Sequence, residues 1–344
     1  MSFDKTKVDE LFKTLDKDSS VALLVQLNPD PDCLGAAAGF GLILQEHYDL
    51  KYKIFHLGEL SHPQNKSMVN VLHLKLSKGE SFKRDDFALT VVLDTDLTGT
   101  GFATDDFVCS DIRIDHHSMD RDVEATFEDV RQVGATCSIV CNWLKEYGIS
   151  LKNHSDVATA LILGIKTDTA EFSSDTTTDL DFEAFRDVMP YVDRESLSKL
   201  SVYPLPESLF DREAKALDSK VTKASVLVSS IGTIVPQKRD FIPIIADRFI
   251  RMDSIHTVVI MGIVEKHLVA SVRSTDTRVG VATLCEEVFG ENFSGAKKGC
   301  GGAKVPLASV VPIEGMELSV EARAVMESEI FRYYSEKIFS TLGE

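Results

Sequence analysis

Short apolar runs alternate with longer amphipathic segments through the first half of the chain. The apolar runs predict strands at 21–27, 52–55, 88–94 and 111–115, and the other segments predict helices at 1–17, from 33 onward, and at 65–73, 134–148 and 155–165. Strands that alternate with helices favour a parallel sheet with helices on both faces. Small residues at 35–39 would let the helix that begins near residue 33 pack closely against that sheet.

The pattern changes after about residue 175. Residues 179–221 are rich in charged helix formers and are interrupted by Pro204 and Pro206, which is typical of a linker. Beyond them lie β-rich runs at 224–235, 242–247, 256–264 and 267–273, a helix near 279–289, a Gly-rich turn at 295–303 and a final helix near 319–341. We therefore predict an α/β protein with a parallel-sheet domain over 1–180, a helical linker over 181–222 and a smaller α/β domain over 223–344.

Composition narrows the class of protein. A net charge of −17 over 344 residues argues against a broad basic surface for long nucleic acid such as duplex DNA. It leaves room for a short nucleotide in a locally positive pocket. No apolar run approaches the roughly 20 residues that span a bilayer, so no membrane partner is expected. The N-terminus lacks an apolar signal region and the six cysteines form no CxxC pair, which together predict a cytoplasmic protein.

Carboxylate and imidazole side chains follow four of the apolar runs. They are Asp30, Asp32, Asp94, His116, His117 and Asp168. Strands of an open α/β sheet deliver functional groups to a crevice at their carboxyl ends, so we expect these side chains to converge. Any one of these aspartates, taken alone, is as readily a helix cap or turn former, and the prediction depends on their joint occurrence.

Such a set suits two divalent cations bound mostly by oxygen. Asp30 and Asp32 would each serve one cation and Asp94 would bridge them. His116 and Asp168 would complete one of the two sites. The imidazole favours Mn²⁺ over Mg²⁺ as the ion.

Four motifs resemble those of the DHH phosphoesterase superfamily. They are NPDPD at 28–32, Asp94 after its strand, DHH at 115–117 and GIKTDT at 164–169, and GATCS at 134–138 fits the segment that follows the DHH triplet. The second half resembles the substrate-binding domain called DHHA1, on SVR at 271–273 and GCGG at 299–302. The likeness is to the branch of RecJ-like enzymes, nanoRNases and oligoribonucleases. Members of this superfamily are often homodimers.

The resemblance implies a di-manganese hydrolase whose active site lies in the cleft between its two domains. Carried over by position, Asp30 and Asp94 would hold one metal, and the second would be held by Asp32, Asp94, His116 and Asp168. His117 would stabilise charge beside the scissile phosphate, so the catalytic residues would be Asp94, His116 and His117. Asp115 would orient the histidines, a support that metal-binding imidazoles commonly need.

Two positions depart from the family pattern. Gln26 stands where the family usually has a histidine, and an amide oxygen would be a weaker ligand of the first metal than imidazole. Ala303 stands where members commonly have a histidine after two glycines. Lys304 would supply a phosphate-binding charge in its place.

Substrate contacts are expected mainly from the second domain. Gly301 and Gly302, flanked by Lys297, Lys298 and Lys304, would form an anion nest, although such a loop is also an ordinary solvated turn. Arg273 would bind a terminal phosphate in a bidentate manner or form a surface ion pair. In the first domain, Asn65 would contact substrate or cap a helix.

We predict a manganese-dependent phosphodiesterase or phosphatase for short nucleotides by a two-metal mechanism. The candidate substrates are dinucleotides, short oligoribonucleotides and 3′-phosphoadenosine 5′-phosphate. Hydrolysis of pyrophosphate or polyphosphate is an alternative, because the same core serves both. A nucleotide-binding regulator without turnover is a third reading, favoured by Gln26 and Ala303. Retention of five metal ligands counts against it, because mutually repelling carboxylates serve no purpose in an idle site.

Overall fold

The computed structural model describes residues 4–117, 125–297, 299–310 and 319–344. The chain forms an N-terminal unit, Met1–Pro204, and a C-terminal unit, Leu205–Glu344. The division falls inside the segment predicted as a linker. Asp181 and Leu200 are buried in the N-terminal unit, whereas Leu209 is buried in the C-terminal one. The segment 181–222 is therefore shared between the two units and does not form a separate element.

The N-terminal unit contains one parallel sheet and eight helices among the described residues. Its strands are β1 (Ser20–Val25), β2 (Lys51–His56), β3 (Leu76–Lys78), β4 (Leu89–Leu93), β5 (Ile112–Asp115) and β6 (Phe127–Val130). Its helices are α1 (Lys5–Phe12), α2 (Pro31–Glu46), α3 (Pro63–Val71), α4 (Leu97–Thr100), α5 (Thr136–Glu146), α6 (Ser155–Asp168), α7 (Asp179–Val188) and α8 (Arg194–Ser201).

The order of the strands in the sheet indicates where a ligand site is expected. The sheet runs β3-β2-β1-β4-β5-β6, and every neighbouring pair is parallel. The order reverses between β1 and β4, which is where open α/β sheets bind ligands, beyond the carboxyl ends of the strands. Val25 of β1 pairs with Leu93 of β4, and Leu93 pairs with Ile114 of β5. The three strands thus end at the same level, and the residues that follow them can meet.

Two cores cover the sheet. Val21, Leu23 and Val25 point to the larger core, which contains α2, α5 and α6. Ala22 and Leu24 point the other way, to a smaller core of phenylalanine side chains and α4. This alternation follows from the period of two along a strand.

The small residues of α2 serve a contact between helices. A Cβ atom at Gly35 would lie 2.7 Å from the carbonyl oxygen of Ala160 in α6, so only glycine fits there. The close approach predicted for this segment is therefore made to α6, and not to the sheet alone.

The C-terminal unit contains a mixed sheet and four helices among the described residues. Its strands are β7 (Val221–Lys223), β8 (Val226–Ile234), β9 (Thr257–Val264), β10 (His267–Ser274), β11 (Ser294–Lys297) and β12 (Cys300–Pro306). Its helices are α9 (Glu207–Ser219), α10 (Phe241–Phe249), α11 (Val281–Phe289) and α12 (Val320–Leu342). The order is β11-β12-β10-β9-β8-β7, with β8 and β9 parallel and the other pairs antiparallel.

Both units are α/β, which confirms the predicted fold class of a parallel-sheet domain with helices on both faces and a smaller α/β domain. Two local predictions are wrong. The run 242–247, predicted as β-rich, lies in helix α10, and the Gly-rich segment 295–303 forms the hairpin of β11 and β12. Gly299 has a φ of +75° at that hairpin turn, a conformation that favours glycine. Within the described ranges, no helix is both long and apolar enough to cross a membrane.

Candidate metal centre

Asp30 and Asp32 begin helix α2. Asp30 is the N-cap residue, and its Oδ1 accepts hydrogen bonds from the backbone N–H groups of Asp32 and Cys33, each at 3.1 Å. Pro31 occupies the first turn, where its missing N–H costs no hydrogen bond. Asp32 therefore lies on a helical turn and not on extended chain. Capping and ligation are compatible, because Oδ2 of Asp30 takes no part in the cap.

The carboxylate of Asp32 is held by the N-terminus of α5. Its two oxygens accept the backbone N–H groups of Thr136 at 2.7 Å and Cys137 at 2.8 Å. A helix N-terminus stabilises negative charge, so this fully buried carboxylate has an electrostatic support. The segment after the DHH triplet thus positions a ligand that precedes it by about a hundred residues.

Asp94 follows β4 in a left-handed conformation, with a φ of +65°. Aspartate tolerates this region better than most residues, and the turn brings the side chain into the crevice. Oδ1 of Asp94 accepts the Thr136 hydroxyl at 2.8 Å. Its Oδ2 is buried and has no hydrogen-bond partner among the described residues. Thr136, which contacts two candidate ligands, was not singled out from the sequence.

His116 presents its Nε2 to three carboxylates. Its Nδ1 lies 3.0 Å from the carbonyl oxygen of Val133, which leaves Nε2 as the ligand atom. The distances from Nε2 are 3.3 Å to Asp168 Oδ2, 3.5 Å to Asp94 Oδ1 and 4.0 Å to Asp32 Oδ2. None of these contacts has hydrogen-bond geometry, and Nε2 is buried without a partner in the part of the chain that the structure describes.

Asp115 holds His117 more directly than His116. Oδ1 of Asp115 lies 2.8 Å from Nδ1 of His117 and also accepts both histidine backbone N–H groups, at 2.8 and 3.0 Å. Its Oδ2 accepts Arg113 at 2.5 Å. Burial alone would raise the pKa of Asp115, but the hydrogen bonds from His117 and Arg113 prevail and lower it. The ring of His117 is oriented by Asp115, whereas the ring of His116 is oriented by Val133.

Asp168 is the last residue of helix α6, which confirms the helix predicted at 155–165, so the apolar run before Asp168 is not a strand. The helix nevertheless brings its carboxylate to His116. The chain then makes a left-handed turn through Ala170, Glu171 and Phe172, with φ values of +48°, +57° and +65°. Such residues cost of order 1–3 kcal/mol each and are concentrated at functional sites.

Gln26, predicted as a weak metal ligand, lies beside Asp30. Its side chain donates a hydrogen bond to the Asp30 carboxylate. This bond favours the charged form and therefore works to lower the pKa of Asp30. Burial is the larger effect on Asp30, and with the charges of Asp168 and Asp32 it raises the pKa to about 7. In this arrangement Gln26 supports a ligand.

The electrostatics of the cluster fit a cation. Burial first, and then the neighbouring carboxylates, raise the pKa of Asp94 well above its usual value, and burial also raises that of Asp32. Burial would lower the pKa of His116, but its contact with Asp168 and the charge of Asp32 prevail and raise it to about 9. Carboxylates this close repel one another unless a proton or a cation lies between them.

Three sets of side chains bring their ligand atoms within 4.8 Å of one another. The sets are Asp32 with His116 and Asp168, Asp94 with His116 and His117, and Asp30 with Cys33 and Asp94. Asp94 and His116, whose Oδ2 and Nε2 atoms are buried without a hydrogen-bond partner among the described residues, belong to these sets. The donors present therefore fit divalent cations.

Most of the predicted substrate contacts of the C-terminal unit lie together. Arg273, Gly301, Gly302 and Lys297 line a concavity of about 400 Å³. Arg273 forms an ion pair with Asp247, in which Nε of Arg273 lies 2.5 Å from Oδ1 of Asp247. Nη1 of Arg273 donates a hydrogen bond to the hydroxyl of Ser271 at 2.8 Å. The exposed Lys304 does not line this concavity, and Lys298 lies outside the described residues.

Asn65 and Ala303 are both buried. Asn65 lies inside α3 rather than at its cap, which is His62. Its amide donates to the carbonyl oxygen of Pro29 at 2.7 Å, so it supports the loop before Asp30. Ala303 belongs to the core of the C-terminal unit.

Comparisons with known proteins agree with the fold. No family model matches the chain. An uncharacterized protein of Methanocaldococcus jannaschii is 31% identical over 294 residues, which are 85% of this chain, and the chain spans 59% of the length of that relative.

An exopolyphosphatase-related protein from Bacteroides fragilis superposes over 97% of this chain and 98% of its own, with a TM-score of 0.66 and 15% identity. A putative family II inorganic pyrophosphatase from Methanococcus jannaschii aligns over 92% of this chain and 99% of its own, with a TM-score of 0.43 and 16% identity. The likeness to the exopolyphosphatase-related protein is a likeness of fold.

Proposed function

We propose that the chain is a metal-dependent phosphoesterase that hydrolyses short nucleotides. The observation that carries this proposal is the meeting of Asp32, Asp94, His116 and Asp168, with two of their polar atoms buried and without a hydrogen-bond partner among the described residues. A buried polar atom without a partner is costly, so a ligand is the physical reason to keep two of them together.

The candidate ligands form two metal-binding sets that share Asp94. Asp32, His116 and Asp168 would hold one cation, Asp30 would hold the other, and Asp94 would contact both. Two such cations supply an activated water and charge stabilisation at the leaving oxygen when they are bound. Mn²⁺ is our choice of ion because imidazole joins a set made mostly of oxygen.

His117 is the residue placed to act on substrate. Its Nδ1 faces Asp115, so Nε2 is the ring atom that can face a phosphate. The side chain is 37% exposed, compared with 9% for His116, which suits a residue that meets an incoming ligand. With a proton on Nε2, His117 would donate a hydrogen bond to a phosphate oxygen and stabilise charge there.

The C-terminal unit offers the anion-binding groups. Lys297 and Arg273 carry positive charge into the concavity, and the backbone around Gly301 and Gly302 is open to a phosphate. A short nucleotide needs no more than such a local pocket. The net charge of −17 argues against a long basic track.

A phosphoanhydride such as pyrophosphate or polyphosphate is the second candidate substrate. The described residues that line the concavity include no aromatic side chain, so none is available there to stack on a base. The exopolyphosphatase-related neighbour is consistent with this alternative. Both substrates would use the same metal centre.

Hydrolysis of a 5′-labelled diribonucleotide with Mn²⁺, run beside pyrophosphate and 3′-phosphoadenosine 5′-phosphate, tests the proposal. Asp94→Ala is the control because it removes the shared ligand. Cleavage of the dinucleotide by the wild type, and not by Asp94→Ala, would support the proposed function. Selective release of phosphate from pyrophosphate would favour the anhydride as the substrate. Metal and nucleotide binding without turnover of any substrate would indicate a regulator.

A further inference from the structure

Cys33 lies against the carboxylates of the metal centre. It is in the first turn of α2, fully buried, and helical side chains point back toward the N-terminus. Its Sγ donates to the carbonyl oxygen of Asp30 at 3.4 Å. The same sulfur lies within 4.8 Å of carboxylate oxygens of both Asp30 and Asp94. One ion at ordinary bond lengths could therefore contact all three atoms.

A second observation points to a ligand at this place. Oδ2 of Asp94 is buried and has no hydrogen-bond partner among the described residues. Asp94 as a whole is 1% exposed, so water does not compensate its charge from outside. Asp94 belongs to the same set of candidate ligands as Cys33.

The two sides of the centre differ in their donors. Asp32, His116 and Asp168 offer oxygen and nitrogen, whereas Asp30, Cys33 and Asp94 offer oxygen and sulfur. Gln26 donates its amide to Asp30 and brings no nitrogen ligand to the second set. Thiolate is a softer ligand than carboxylate and favours Zn²⁺ over Mn²⁺.

We propose that Cys33 ligates one of the two cations together with Asp30 and Asp94, and that this position selects a thiophilic ion such as Zn²⁺ or Co²⁺. Binding releases the thiol proton, because a coordinating thiol is deprotonated by the ion. The other position keeps its preference for Mn²⁺, so the centre holds two unlike ions. This inference rests on the proposed metal centre.

Cys137 provides a matched control. It is also fully buried, and its Sγ donates to the carbonyl oxygen of Asp32 at 3.2 Å. It belongs to none of the three ligand sets. A thiol near the site that is not a ligand is therefore available in the same chain.

Titration of the metal-free, reduced protein with Co²⁺ tests the proposal without any turnover. A thiolate ligand gives a sulfur-to-cobalt charge-transfer band in the near ultraviolet, in addition to the weaker visible bands of the ion. We expect the charge-transfer band in the wild type and in Cys137→Ser. We expect its loss in Cys33→Ser and Cys33→Ala, with the visible bands retained.

Zn²⁺ affinity gives a second readout. Replacing Cys33 by serine should weaken Zn²⁺ binding by about tenfold or more, since loss of an outer partner alone costs 10–100-fold. Mn²⁺ binding should change less. Thermal unfolding of the metal-free variants identifies any that fail to fold, and the serine variant keeps nearly the same volume.

The outcomes are distinct. Visible cobalt bands without a charge-transfer band in the wild type would overturn the role of Cys33 and leave the metal centre intact. A charge-transfer band that survives in both Cys33 variants would also overturn it. Failure of the wild type to bind Co²⁺, Zn²⁺ or Mn²⁺ would overturn this inference and the proposed function together.

Discussion

The hydroxyl of Thr136 lies 2.8 Å from Oδ1 of Asp94. The same residue donates its backbone N–H to Asp32 at 2.7 Å. The first residue of α5 thus holds two candidate ligands that come from different elements of the sheet edge. Its position, fully buried between them, fixes the distance between these carboxylates before any ion binds.

Thr136→Val should weaken the centre because it keeps the shape of the side chain and removes the hydroxyl. The lost hydrogen bond leaves a buried carboxylate oxygen unsatisfied, which costs about 1–3 kcal/mol of stability. Metal affinity should fall about 10–100-fold. Thermal unfolding and Mn²⁺ titration measure the two effects, and Thr136→Ser should restore most of both. Equal behaviour of the valine and serine variants would contradict this role.

Asp115→Asn should lower the rate of hydrolysis with little change in bound metal. The amide keeps the size of the carboxylate but loses the charge that orients His117, so a loss of about 10–100-fold is expected. His116 keeps its ring contact with Val133. Metal analysis and single-turnover rates separate the two quantities.

Asp129→Asn is the matched control for that variant, since Asp129 is also buried and paired with an arginine, Arg131, at 2.7 Å. A similar loss of rate in both variants would show that general destabilisation explains the effect.

The stability of the metal-free protein should fall as pH rises. The pKa of Asp30 is raised to about 7 and that of His116 to about 9. A group whose pKa is raised by folding stabilises the protein below its unfolded pKa and loses that contribution as pH rises through the folded value. A cation replaces these protons, so the rise in Tm on adding Mn²⁺ should be larger at about pH 8.5 than at about pH 5.5. A shift that is independent of pH would contradict this coupling.

Arg273→Ala should raise KM for the substrate by about tenfold without changing metal binding, because it removes a cation from the concavity of the C-terminal unit. Arg278→Ala is the control. Arg278 also pairs with an aspartate, Asp276, at 2.7 Å, but it does not line the concavity. Steady-state kinetics measure the difference, and equal KM values for the two variants would exclude a role for Arg273 in binding.

The predictions that succeeded depend on local patterns. Apolar runs ending in aspartate identified β1, β4 and β5 because strands of a parallel sheet end at a common edge. The error at α10 has a local cause as well. Its isoleucine and phenylalanine content is typical of strands, whereas Phe241, Ile245 and Phe249 are spaced four apart and share one core.

Other features depend on contacts between distant parts of the chain. Thr136 and Asp94 are 42 residues apart, and neither local sequence predicts the hydrogen bond between them. Asp168 was predicted to join the cluster, and the helix that carries it was predicted at 155–165, although the apolar run before Asp168 is buried on all sides in α6. A continuous apolar run of that length does not distinguish a buried strand from a buried helix.

Calorimetric titration of the metal-free protein with Mn²⁺ tests the central claim most directly. The metal centre predicts two ions per chain, the second bound more weakly, and loss of at least one in Asp94→Ala. Asp85→Ala, which removes an exposed carboxylate elsewhere, should bind as the wild type does. Wild-type protein that binds no Mn²⁺, or an Asp94→Ala variant that binds it unchanged, would contradict the claim.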